Sequence, residues 1–66
     1  MEIKVNGENR EYTGRAVLGD LLRSLGVTPG SVAVERNTRI LARNEIVIEP
    51  IEPGDSFEII RLVGGG

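Results

Sequence analysis

The sequence contains no cysteine, no histidine and no tryptophan, and only one tyrosine and one phenylalanine among its 66 residues. Each absence removes a class of function. Without cysteine there is no disulfide, no thiolate nucleophile and no thiolate metal site. Without histidine the chain lacks both the side chain that titrates nearest neutral pH and the commonest metal ligand. So few aromatic side chains offer no platform on which the bases of a single-stranded nucleic acid could stack. Excess charge is missing too: eight basic and ten acidic residues are interspersed, for a formal net charge of -2 and a pI near 5.0, which argues against a binder of the phosphate backbone. Long apolar runs are absent, since none exceeds three residues, whereas a membrane span needs about 20. Met1-Glu2-Ile3-Lys4 lacks the charged and apolar regions of a secretory signal. The expectation is a cytoplasmic protein that meets neither membrane nor nucleic acid.

What is present suits one small soluble domain. Hydrophobic residues make up 39% and charged residues 27%, values of an ordinary globular chain. A chain this short buries only about 60% of the surface its unfolded form exposes, so its core is thin. With no catalytic inventory it is not expected to be a free-standing enzyme, and any chemistry must lie in its backbone or its partners.

Periodicity divides the chain. Glu2-Ile3-Lys4-Val5 alternates polar and apolar, as a half-buried strand does. Asn6-Gly7 follows, the strongest short hairpin signal, because both central residues of a type I′ turn need φ > 0. The returning strand is expected over Glu8 to Thr13, with Tyr12 as its core contact. Val17, Leu18, Leu21, Leu22 and Leu25 then fall on one helical stripe, with Thr13 as a candidate N-cap and Gly26 as the glycine that ends the helix. Gly19 inside the helix costs about 1 kcal/mol relative to alanine, which suggests that a neighbouring backbone comes close there. Val32-Ala33-Val34-Glu35 reads as a strand, Arg36-Asn37-Thr38-Arg39 as a turn and Ile40-Leu41 as a short strand. Pro50 and Pro53 exclude a central strand from the stretch 42–53, and Pro53-Gly54-Asp55 is a turn. The last strand is expected from Ser56 to about Val63. One helix must bury its leucine stripe and one short sheet must cover an apolar face, so the helix packs across the sheet. This is an α+β chain of the β-grasp, or ubiquitin-like, arrangement: a mixed sheet of four to five strands on one helix, over residues 1–63, followed by a glycine tail, 64–66.

The last strand is unusual. Ser56 and Glu58 are polar, so Phe57 and Ile59 should face the core, and Ile60 and Leu62 should point outward. Either a loop from Ala42 to Pro53 covers these two or they belong to a binding patch. Gly64-Gly65-Gly66 follows directly. A short glycine tail can be a frayed end. It can also serve a chemistry that requires it. A carboxylate becomes a good electrophile once it is activated as an acyl-adenylate, and the activating enzyme must thread the tail into a narrow site. Glycine lets the enclosing walls come close, and three residues reach roughly 10 Å beyond the strand.

Ile3-Lys4-Val5-Asn6-Gly7, the Val17 to Leu25 helix, Val32-Ala33-Val34-Glu35-Arg36-Asn37, Pro53-Gly54-Asp55 and Val63-Gly64-Gly65-Gly66 together resemble the ThiS family of sulfur carriers in thiamin biosynthesis. The resemblance spans the whole chain and rests on the order of these motifs. The family ending is two glycines, and here there are three. The resemblance implies a carrier and not a catalyst. A ThiF-like adenylyltransferase would use ATP to adenylate the carboxylate of Gly66, with no cofactor bound by the carrier itself. A sulfur donor, such as a persulfide from a cysteine desulfurase, would displace AMP to leave a thiocarboxylate, and thiazole synthase (ThiG) would take the sulfur. On this reading Gly64 and Gly65 are the thread, and Ile60, Leu62, Val63 and Arg61 dock on partners.

Other groups read more plainly. Glu45, Glu49, Glu52 and Asp55 could suggest a metal site, but a solvated rim around a loop is the expectation. Arg36, Arg39 and Arg43 are expected to be ordinary surface. Two other functions stand beside the thiamin carrier: a MoaD-like carrier for molybdopterin synthesis, whose members are usually longer, and a ubiquitin-like binding module with an inert tail.

Overall fold

The computed structural model describes residues 1–62. Five strands form one sheet: β1 (Glu2–Val5), β2 (Glu8–Glu11), β3 (Val32–Arg36), β4 (Arg39–Ile40) and β5 (Ser56–Arg61). A single α-helix, α1 (Leu18–Ser24), lies between β2 and β3, and short 3-10 turns occupy Pro29–Ser31 and Arg43–Glu45. The sheet order is β2-β1-β5-β3-β4. The first and last strands are neighbours and parallel, and every other pairing is antiparallel. This is the mixed sheet with one helix expected of a β-grasp chain.

Alternation sets the faces. Ile3, Val5, Val34 and Phe57 point to the helix side and are buried, where Leu18, Leu21 and Leu22 close over them. The Asn6-Gly7 turn has φ values of 50° and 83°, as a type I′ hairpin demands. The returning strand stops at Glu11 and not at Thr13; Tyr12, just beyond it, is buried and donates its phenol to the Arg15 carbonyl at 2.6 Å.

The helix starts later than its sequence suggests. Its N-cap is Val17, with no side-chain cap, so Thr13 has no such role. The first N–H groups of a helix lack partners within it. Here the backbone of a later loop supplies them: the Leu18 N–H donates to the Glu49 carbonyl at 2.8 Å and the Gly19 N–H to the Val47 carbonyl at 3.2 Å. A Cβ built on Gly19 would lie 2.7 Å from the Val47 oxygen, which is the close backbone approach that the glycine foretold. At the other end Gly26 takes φ 75°. The N–H groups of Gly26 and Val27 donate to the carbonyls of Arg23 and Leu22, a full Schellman closure.

Candidate functional site

The end of β5 is the root of the glycine tail, and three elements fix it. On one side β5 pairs with β1, and the pairing is prolonged by Asn6. The Asn6 N–H donates to the Phe57 carbonyl at 2.8 Å. The Asn6 side-chain amide donates to the Ile59 carbonyl at 3.3 Å and accepts from the Ile59 N–H at 2.7 Å. On the other side β5 pairs with β3 from Arg36↔Phe57 to Val32↔Arg61. The Leu62 N–H continues the ladder to the Ser31 carbonyl at 2.9 Å. At the start of β5, Asn37 accepts from the Ser56 N–H and donates to Asp55, both at 2.8 Å. Two asparagines in left-handed turns thus clamp the strand that carries the tail. The Asn-Gly turn signal pointed to one of them, but nothing in a single sequence shows what a turn side chain reaches across to.

Phe57 is fully buried and Ile59 packs partly against the core, whereas Ile60 and Leu62 are 64% and 52% exposed. The 42–53 loop therefore leaves both uncovered. Arg61 is also exposed and makes no ion pair among the described residues. Val63, Gly64, Gly65 and Gly66 lie outside the described residues. Sequence reasoning missed Ile40, which is 75% exposed. It stands opposite Glu35 in the register and joins Ala33 and Ile60 along a shallow groove of about 330 Å³ on the outer sheet face. The short strand was visible, but it consists of Arg39–Ile40 and not Ile40-Leu41. Leu41 turns inward and Ile40 outward.

The acidic group behaves differently from the solvated rim expected of it. Glu49 and Asp55 are buried. Arg36, far from being ordinary surface, reaches three carboxylates at once: Asp55 at 2.9 Å, Glu49 at 3.1 Å and Glu52 at 3.2 Å. Arg39 adds contacts to Glu49 at 2.7 Å and Glu45 at 3.6 Å. The hydrogen bond to Asp55 is the main reason that the Arg36 pKa is raised. Burial pushes the Asp55 carboxyl up, but hydrogen bonds from Asn37, the Glu52 N–H and Arg36 outweigh it and hold its pKa below the ordinary value. The network ties the loop before β5 to the β3–β4 hairpin. Among the described residues, no group of three or more carboxylates is placed to hold a metal ion, and no helix is long and apolar enough to cross a membrane. Arg43 donates to the Gly30 carbonyl at 3.0 Å and otherwise lies exposed.

The sequence profile of the ThiS family matches residues 3–66. The chain belongs to the ThiS family. The crystal structure of the thiamine biosynthesis protein ThiS from Geobacter metallireducens superposes with a TM-score of 0.79 at 30% identity, all of both chains being covered. The solution structure of a thiamine biosynthesis protein from the same organism gives 0.78 at 30% identity, over all of this chain and 88% of that one. Curated thiazole synthases from Paramagnetospirillum magneticum and Magnetococcus marinus are 36% and 35% identical over 66 residues, the whole of this chain. This ThiS-family chain spans about a fifth of the length of those relatives.

Proposed function

We propose that this ThiS-family chain is a sulfur carrier that delivers sulfur to thiazole formation in thiamin biosynthesis. The observation that carries the reading is a family match that runs through the terminal glycines, on a fold whose last strand is clamped on both sides and leads straight into them. The carboxylate of Gly66 attacks the α-phosphorus of ATP on a ThiF-like adenylyltransferase, and pyrophosphate leaves. A sulfur nucleophile from a donor such as a cysteine desulfurase persulfide then attacks the acyl carbon, and AMP leaves. A second thiol then attacks the donor cysteine's sulfur in the resulting acyl disulfide, forming a disulfide with the donor and expelling the thiocarboxylate, which passes its sulfur to a thiazole synthase. Gly64 and Gly65 thread the enzyme sites, while Ile60, Arg61, Leu62 and Val63 form the root that partners grip. The carrier itself contributes no catalytic side chain and binds no cofactor, and the reaction takes place in the cytoplasm. The names of the curated relatives favour thiazole synthase over a molybdopterin synthase subunit as the acceptor.

Intact-mass measurement tests this. Incubated with ATP, an adenylyltransferase and sulfide, the protein should gain the mass of one sulfur in place of one oxygen, localised to Gly66. Deletion of Gly65 together with Gly66, which leaves fewer glycines than the family ending, should abolish the gain and leave the unfolding midpoint unchanged. An unaltered mass with an enzyme proven on a related carrier would overturn the reading.

A further inference from the structure

The outer sheet face holds a charge arrangement that the folded chain does not need. Glu35 on β3 stands directly opposite Glu58 on β5, and like charges in that position destabilise a sheet. Both carboxylates border the groove formed with Ala33, Ile40 and Ile60. Neither makes an ion pair among the described residues, although Glu11, Asp20, Glu45, Glu49, Glu52 and Asp55 all do. The other glutamate pair in the sheet, Glu2 opposite Glu11, is relieved by the Met1 ammonium at 2.7 Å from Glu11. Lys4, opposite Ser56 on the neighbouring strand, makes no ion pair with Glu35 or Glu58 among the described residues. So, among the described residues, the one pair of facing carboxylates without an ion pair lies beside the exposed Ile40 and Ile60.

We infer that Glu35 and Glu58 form a selectivity rim for a partner surface that presents an apolar side chain flanked by lysine or arginine. This rests on the carrier reading and assigns the complementary surface to the thiazole synthase that receives the sulfur. Ile40, Ala33 and Ile60 supply the apolar floor. The two carboxylates, strained against each other in the free carrier, are neutralised by the partner's cations on docking. Rim charges of this kind act mainly on association rate and on partner choice. A second copy of this chain does not suit the surface, because a symmetric contact would bring four carboxylates together.

The test is the charge reversal Glu58→Lys, with Glu58→Gln and Ile60→Ser beside it. In the free carrier Glu58→Lys turns a repulsive pair into an attractive one, so Tm should rise by roughly 2–8 °C. Binding to thiazole synthase should move the other way, with the association rate at low salt falling by about tenfold or more and the salt dependence flattened. Glu58→Gln should lie between. Ile60→Ser should weaken binding while the salt dependence of the wild type persists. A variant that is more stable and binds as well as wild type, with wild-type salt dependence, overturns the rim and leaves the carrier reading intact. Self-association of the carrier through this face, detected by sedimentation and abolished by Ile60→Ser, also overturns it. If wild-type carrier neither binds thiazole synthase nor gains sulfur at its C-terminus, the carrier reading fails and the rim with it.

Discussion

Two backbone positions show how closely single residues are matched to their surroundings. Gly19 pays the helix penalty of glycine because the Val47 carbonyl occupies the space where a Cβ would stand, 2.7 Å away. Helix propensity alone predicts that Gly19→Ala gains about 1 kcal/mol. The contact is with backbone and cannot rotate aside, so the substitution should instead cost roughly 1–3 kcal/mol. It should also loosen the loop that supplies carbonyls to the helix N-terminus. Thr38 is the opposite case. Its φ of 75° places a β-branched residue in the left-handed region, at a cost of roughly 1–2 kcal/mol. Its hydrogen-bonding neighbour Asn37 carries the clamp on Ser56 and Asp55, so Thr38→Gly relieves the strain without touching a contact of β5. Urea unfolding should show the midpoint falling for Gly19→Ala and rising for Thr38→Gly. A stabilised Gly19→Ala protein would mean that the loop yields easily.

Among the elements, β5 is held more firmly than its six residues suggest, because Asn6 and Asn37 extend its pairing beyond the neighbouring strands. Asn6→Ala removes both side-chain bonds to Ile59, each with a net worth of about 1 kcal/mol, and Asn6→Asp keeps the acceptor but loses the donor. Amide exchange of Ile59 should therefore accelerate strongly in Asn6→Ala and less in Asn6→Asp, while exchange in β3 changes little. Equal acceleration throughout the sheet would show a global loss of stability and not a local clamp. These elements also show how far a sequence can be read. Both hairpin turns, the leucine stripe, the Gly26 stop and the outward direction of Ile60 and Leu62 come from periods of two and 3.6 and from glycine stereochemistry, all local in origin. The helix start failed because its donors are satisfied by Glu49 and Val47, some thirty residues away. The Arg36 network failed for the same reason, since a charged residue in a turn reads as solvated until the fold brings Asp55 beneath it.

For the molecule as a whole, the ion network is a large commitment by a small domain. Native stabilities are about 5–15 kcal/mol, and a 66-residue chain stands on a thin core. Removing one partner of a buried ion pair costs about 3–5 kcal/mol, because the other charge is left uncompensated. Arg36→Met should therefore destabilise severely at neutral pH, where it leaves the buried Asp55 without its cation while Glu49 keeps only Arg39. The pH dependence identifies the cause. The folded-state pKa of Asp55 lies below its ordinary value of 3.8, so below that value the unfolded chain binds more protons than the folded one. The contribution of Asp55 is thus fully present above pH 3.8 and is lost as pH falls through the lower folded-state value. In Arg36→Met the carboxyl loses its strongest cation, its pKa moves back up, and protonation relieves the stranded charge. Thermal unfolding from about pH 7 to about pH 2 should show the two proteins far apart at neutrality and converging in acid. Parallel curves would mean that Arg36 acts through the packing of its alkyl stem. Because the same network anchors the loop that leads into β5, acid should also loosen the start of that strand, where exchange of the Ser56 amide is expected to rise before that of Val34 in the core.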